Sequence, residues 1–290
     1  MSSKVELHAV AGADMGTTTA EEAMRDADLE TALAIVQDRI RKSPADAEPR
    51  VFLFQLLCVL GQWERALQQL NVAAELDAKS LAMAQMYRET VRCELLRAEV
   101  FAGKKSPMIF GEPQQWLALL IESLLSKDAA ENAERLRAQA FEAAPETSGT
   151  IDDGAFEWIA DADMRLGPVC EAVMNGRYYW IPFENLARID LEQLLDLRDL
   201  VWLPAHFRFA NGGESVGVIP TRYPGSENSE DSLVRLARKT EWMEPVSEVF
   251  HGIGQRILTS DLGDHPLLSV RNISFGEEAQ RHAEEAARHA

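Results

Sequence analysis

Residues 50–77 read RVFLFQLLCVLGQWERALQQLNVAAELD, and this stretch decides the architecture of the first half of the chain. An apolar run from Val51 to Leu60 meets Gly61, after which apolar residues recur three and four apart from Trp63 to Leu76. That pattern predicts two helices with Gly61 as the break between them. The segment Leu29-Glu-Thr-Ala-Leu33 lies under Trp63-Glu-Arg-Ala-Leu67 at an offset of 34 residues. Glu30, Ala32 and Leu33 repeat identically as Glu64, Ala66 and Leu67, and Val36 falls on Leu70.

A period of 34 is that of tetratricopeptide helical hairpins. In such a hairpin Ala66 and Ala73 sit where two helices approach closely, and Trp63 and Leu70 fill the groove between neighbouring hairpins. Asp28 is placed to cap the second helix of the first copy, and Pro44 to stop it. Working outward, Leu81 to Phe101 reads as one long helix ended by Ala102-Gly103. A degenerate hairpin follows, Pro113–Ser126 and Asp128–Ala144, closed by Pro145. Its Ala133 and Ala140 keep the seven-residue spacing of Ala66 and Ala73.

Beyond Glu146–Gly149 the composition shifts towards Gly, Tyr and Ile with paired turn residues. Val169–Met174 and Tyr178–Phe183 flank Asn175-Gly176, a strong signal for a tight β-hairpin. Tyr178 and Trp180 then face one side and Tyr179 the other, as sheet core or as an aromatic surface against the helical half. Asp190 is expected to cap a short helix from Leu191 to about Leu197. Val201–Phe209 and Val216–Tyr223 flank a second hairpin loop, and residues 232–239 suggest a helix. Gln255–Thr259 and Leu267–Phe275 suggest a last strand pair. The expected fold class is α+β: a flexible N-terminus (1–19), a tetratricopeptide-like helical domain (20–148), a mixed hairpin-rich domain (149–276) and a polar tail (277–290).

The chain has 290 residues, 47 acidic and 29 basic, for a formal charge of −18. Such a surface repels phosphate backbones and anionic lipid, which argues against nucleic acid and membrane surfaces as partners. No apolar run approaches the roughly 18 residues of a membrane span, and the polar start does not read as a secretory signal. Three scattered cysteines, Cys58, Cys93 and Cys170, make no disulfide framework and point to a reducing cytoplasm.

Chemical motifs are sparse. Gly213-Glu-Ser-Val-Gly217 matches G-x-S-x-G, and His251, His265, His282 and His289 lie downstream. A nucleophile elbow needs a strand before the serine and a helix after it; here a strand-like run follows instead. A hydrolase using Ser215 is therefore the alternative reading, and a structural, oligomerising scaffold a further one. The histidines show no metal-ligand spacing, and acidic Asp152-Asp153 and Asp161-Ala-Asp163 read as solvated loops. No cofactor motif is present.

The helical array is the most informative functional feature, because first helices of stacked hairpins line a concave, peptide-binding face. The helix phase aims Val51, Gln55, Cys58 and Val59 at that face, and Gln85, Glu89 and Arg92 from the following long helix. An apolar stripe with a polar rim suits an amphipathic helix.

The run Arg50–Asp77, the helix through Tyr87-Arg88 to Arg92, and above all NGRYYWIPFENLARIDLEQLLDLRDLVWLPAHFRFANG (Asn175–Gly212) resemble the ImpE/SciE family, also called TagJ. The resemblance covers roughly Asp28 to Phe275. It implies a non-enzymatic, cytoplasmic accessory protein of the bacterial type VI secretion system. The implied partner is the N-terminal helix of the small subunit of the contractile sheath, with an indirect link to the ATPase that recycles contracted sheath.

Overall fold

Two copies of one helical pattern open the chain in the computed structural model, which describes residues 19–126, 129–246, 248–276 and 278–279. Helices α1 (Ala20–Arg25) and α2 (Leu29–Lys42) form the first hairpin, α3 (Glu48–Val59) and α4 (Trp63–Leu76) the second. The starts of α2 and α4 are offset as the repeat requires. Asp28 Oδ1 accepts the Thr31 amide at 2.9 Å, capping α2. Gly61 has φ +67°, which lets the Gln62 amide return to the Leu57 carbonyl at 2.8 Å and close α3. Ala32, Ala66 and Ala73 are fully buried at the close helix approaches. Helix α5 (Leu81–Phe101) is the predicted long helix; α6 (Gln115–Leu125) and α7 (Ala130–Ala143) make the degenerate hairpin, with Ala133 and Ala140 buried. The flexible start expected for 1–19 lies outside the described residues except Thr19, the tail except 278–279, and the expected α7 start at Asp128 also lies outside.

The strands are β1 (Met108–Ile109), β2 (Gly149–Ile151), β3 (Gly154–Phe156), β4 (Ile159–Asp161), β5 (Val169–Met174), β6 (Arg177–Pro182), β7 (Leu186–Leu191), β8 (Trp202–Phe209) and β9 (Glu214–Pro220). After the short α8 (Ser232–Arg235) come β10 (Thr240–Val246), β11 (Val249–Gly254), β12 (Ile257–Ser260), β13 (Gly263–Pro266) and β14 (Asn272–Phe275). Nine of them form one sheet in the order β1-β6-β5-β9-β8-β7-β14-β2-β3. Its edge strand β1 comes from between α5 and α6 and pairs parallel to β6.

Alternation along the strands divides the sheet into two faces. Val169, Val173, Tyr178, Trp180, Trp202 and Val218 join the core built by the helices. Cys170, Ala172, Met174, Ile181, Leu203, Phe207 and Ile219 join a second core under β4, β12 and the 267–270 turn. The aromatic hairpin thus packs its Tyr178–Trp180 side on the helices. Trp63 fills a different gap from the expected one: its ring lies 5.8 Å from that of Trp202, on the sheet.

Two expectations for the second half are corrected. Residues 186–191 are strand β7, not the approach to a helix at Leu191; Asp190 pairs with His206 across the sheet, and the only turn of helix there is Leu197–Leu200. Ile189 and Leu191, alternating on one face, and Leu186 before the register shift gain more from burial in the sheet than an isolated two-turn helix would. The 267–275 segment does not pair with 255–259: β12 pairs with β13 and β4, whereas β14 inserts between β7 and β2. The β2–β3 hairpin was missed although Asp152-Asp153-Gly154 marks its turn, where Asp152 has φ +47°; β4 and the β10–β11 ribbon carried no clear turn signal.

Candidate partner-binding groove

The expected concave face is occupied by the chain itself. Helix α3 is buried on nearly all sides, from Leu53 to Val59. Gln55 accepts the Arg198 amide at 3.3 Å, Cys58 and Val59 have no exposed surface, and only Val51 at the first turn is half-exposed. The reason is legible after the fact: VFLFQLLCVL is apolar all round, and such a helix is enclosed rather than surface-lying. Arg222, itself buried, donates to the carbonyls of Val59 (2.8 Å) and Cys58 (3.3 Å) at the C-terminus of α3, where a cation also complements the helix dipole. Arg222→Met leaves both carbonyls without that donor and is expected to cost roughly 1–3 kcal/mol in urea unfolding.

A buried ionic network completes this seam. Arg97 of α5 donates to Glu171 of β5 through Nε (2.7 Å) and Nη2 (3.1 Å), and to the Arg222 carbonyl (2.9 Å). Glu171 also accepts from Tyr178 and Arg256, and Arg256 bonds Asp161. Glu94 takes Arg97 Nη1 at 2.9 Å and the Trp202 indole at 3.0 Å. Burial opposes ionisation of Glu171, but Arg97 and Arg256 prevail and hold its carboxyl at about 2. Burial pushes the Asp161 carboxyl up to about 6, against the pull of Arg256. Every charge in this cluster is met, so it fixes how the helices sit on the sheet. Asp161 and Asp163, expected as solvated loop carboxylates, are instead buried, at 3% and 0% exposure, where arginines meet them. Arg97, Glu171 and Arg256 were not singled out in the sequence, although one charge inside Val169-Cys-Glu-Ala-Val-Met174 is the signal that marks them.

The open surface lies where α5 overhangs the same face of the sheet. A groove of about 460 Å³ runs between Met86, Glu89 and Thr90 of α5, the Asn175-Gly176 turn, and Val173, Pro204, His206 and Val216 of the strands. The turn has the two positive φ angles, +51° and +71°, of a type I′ hairpin, and seats on α5 beside Glu89. Val216 is 72% exposed and Met86 45%, so the groove carries apolar side chains that nothing among the described residues covers. Its rim is acidic: Glu89, paired with Arg92 at 2.6 Å, and Glu192; Glu214 lies 3.6 Å from His206. Of the residues aimed at the partner, Glu89 and Arg92 are brought to this rim and Gln85 is exposed on α5 nearby, while Gln55, Cys58 and Val59 are taken out of reach. Met86, Pro204 and Val216 were missed because strands distant in sequence assemble the other wall.

Ser215 is not an elbow. It lies inside β9 opposite Phe207, and its hydroxyl donates to the Val216 carbonyl at 3.3 Å. Ser215→Ala is expected to leave the thermal midpoint and peptide affinity unchanged, within about 0.5 kcal/mol. Among the described residues no group of three or more His, Cys, Asp or Glu is placed to hold a metal ion, and no helix is long and apolar enough to cross a membrane. The three cysteines are free and buried, and burial pushes their thiols up, away from the reactive thiolate.

His251 supplies a pH dependence. Burial, together with Arg165 and Arg137 and against Asp163, lowers it to about 4. Its ordinary value near 6.5 makes the unfolded chain the better proton binder between those limits, so stability is lost as pH falls from about 6.5 to about 4. The difference in urea midpoint between His251→Gln and wild type is expected to move in favour of the variant across that window and stay flat above pH 7.

The profile of the ImpE protein family matches residues 153–274. A crystal structure of protein VPA1032 from Vibrio parahaemolyticus has the same fold, with a TM-score of 0.81 at 27% identity over 89% of this chain and 97% of that one. The type VI secretion system accessory component TagJ of Pseudomonas aeruginosa is 48% identical over 259 residues, covering 88% of this chain and 90% of that protein. Identity at that level across nearly the whole of both sequences, helices and sheet alike, means that this chain belongs to the ImpE/TagJ family of type VI secretion accessory proteins.

Proposed function

We propose that the chain is a protein-binding adaptor of the type VI secretion machinery. In this reading it takes the N-terminal helix of the small sheath subunit in the groove between α5 and strands β8 and β9, and so links the sheath to its recycling in the cytoplasm. The observation that carries the reading is the groove itself, with an uncovered apolar floor at Met86 and Val216 and an acidic rim at Glu89 and Glu192. Its volume takes a few anchor side chains rather than a whole helix. The helix would therefore dock by apolar residues three and four apart, with basic neighbours meeting the rim and its far side in water. The adaptor role needs no catalytic group.

The experiment is a titration of the full chain with a fluorescent peptide of that helix. Saturable binding at micromolar concentration, on the order of −8 kcal/mol, is expected. No binding at hundreds of micromolar peptide overturns the reading.

A further inference from the structure

The β10–β11 ribbon stands apart from both cores. It forms a sheet of its own, and every residue of β10 from Glu241 to Val246 is exposed. Trp242, Met243, Val246 and Phe250 are each between 37% and 47% exposed, a density of large apolar side chains that a solvated ribbon does not need. Yet the ribbon is firmly held. Gly252 lies so close to the Tyr223 ring that a Cβ there would meet it at 2.2 Å, and the Trp242 ring sits 5.7 Å from Tyr223. The Gly252 amide donates to Asp163 Oδ2 at 2.9 Å, the Met164 amide to the Phe250 carbonyl at 3.1 Å, and the Gly254 amide to Ser226 Oγ at 2.7 Å. These bonds use the outer side of β11. Among the described residues β10 pairs with β11 alone.

The chemistry of the surface selects its occupant. Between Thr240 and Gly254 the sequence has Glu241, Glu244 and Glu248 and no lysine or arginine; Lys239, just before the ribbon, pairs with Glu241 at 2.6 Å, so Glu244 and Glu248 carry its acidic excess. A second copy of this chain, at −18, is repelled from it. Addition of a strand is also disfavoured: Pro245 removes an amide from β10, and the register breaks between Met243 and Val246. What remains is side-chain contact with a helix that carries apolar residues and positive charge.

We propose that the β10–β11 ribbon is a second docking surface, which binds an amphipathic helix with a lysine- or arginine-lined apolar stripe. Trp242 and Phe250, which share one face of the ribbon by strand alternation, are its anchors, and Glu244 and Glu248 at its turn set the charge preference. It shares no lining residue with the α5 groove, so the chain can hold two protein segments at once, which is what an adaptor between two assemblies requires.

The test uses the full chain carrying Met86→Asp with Val216→Asp, so that the apolar floor of the α5 groove does not contribute. The probe is a labelled 18-residue Leu/Lys amphipathic peptide, with a Leu/Glu peptide of the same pattern as control, followed by anisotropy at 0.15 M salt. Saturable binding of the Leu/Lys peptide is expected, weakened at least tenfold by Trp242→Ser with Phe250→Ser and retained by Trp242→Phe. Glu244→Lys with Glu248→Lys, exposed changes that leave the anchors in place, is expected to weaken it at least tenfold as well. Equal binding by the Ser variant, or equal binding of the Leu/Glu peptide, overturns the proposal. So does self-association of the wild-type chain that the Ser variant abolishes, since the occupant would then be a second copy. Failure here leaves the α5 groove untouched, because that groove is disabled throughout.

Discussion

Replacing Glu171 with alanine is expected to lower the unfolding free energy by about 3–5 kcal/mol, and the thermal midpoint by roughly 10 °C. The cost comes less from the lost attraction than from what is left behind. Arg97 and Arg256 are both at most 2% exposed, and each directs a guanidinium nitrogen at Glu171. With the carboxylate gone, the Tyr178 hydroxyl loses its acceptor too, and the Trp180 indole, which donates to that hydroxyl at 2.6 Å, loses its alignment. Glu171→Gln keeps the shape and one acceptor but removes the charge, so it is expected to fall between wild type and alanine. Arg97→Met with Glu171→Met, which removes one buried charge of each sign, is expected to recover part of the loss. Urea unfolding at pH 7 measures all four; a Glu171→Ala cost below about 1 kcal/mol would mean that the seam is held by apolar packing alone.

The second large effect is on binding. Met86→Asp with Val216→Asp places two carboxylates on the floor of the α5 groove, against the apolar anchors of a docked helix. A loss of at least 2 kcal/mol, about 30-fold in Kd, is expected for the sheath-helix peptide. Both positions are exposed, so the folded chain is expected to unfold within about 0.5 kcal/mol of wild type. Charge reversal at the rim, Glu89→Lys with Glu192→Lys, is expected to act differently: slower association and a flatter salt dependence, with a smaller change in dissociation rate. Stopped-flow mixing at two salt concentrations separates the two behaviours.

These two surfaces also show how far the sequence alone could be read. The repeat was visible because tetratricopeptide packing rests on small residues at fixed spacing, and Ala32, Ala66 and Ala73 are all fully buried where their spacing placed them. The Asn175-Gly176 hairpin was visible because a type I′ turn demands two residues that tolerate positive φ. The pairing of β14 was not, because register between strands more than eighty residues apart is set by shared burial and leaves no local mark. The concave face failed for a related reason. Helix phase told which side of α3 faces inward, but what fills that side, the Leu197–Leu200 turn and Arg222, comes from about 140 to 160 residues later. Glu89, with Arg92 paired to it, reaches the groove because α5 extends past the turn that encloses α3; the apolar wall opposite, at Val216, sits on a strand whose neighbours gave no hint of an uncovered position.

The central claim is that the chain captures the sheath helix in the groove between α5 and the strands β8 and β9. Hydrogen exchange of the full chain, with and without saturating peptide, tests it most directly. Slowed exchange is expected in fragments covering 81–92 of α5 and 203–218 of β8 and β9, with α3 unchanged because it is already enclosed. Binding of the peptide with protection confined to other segments would contradict it.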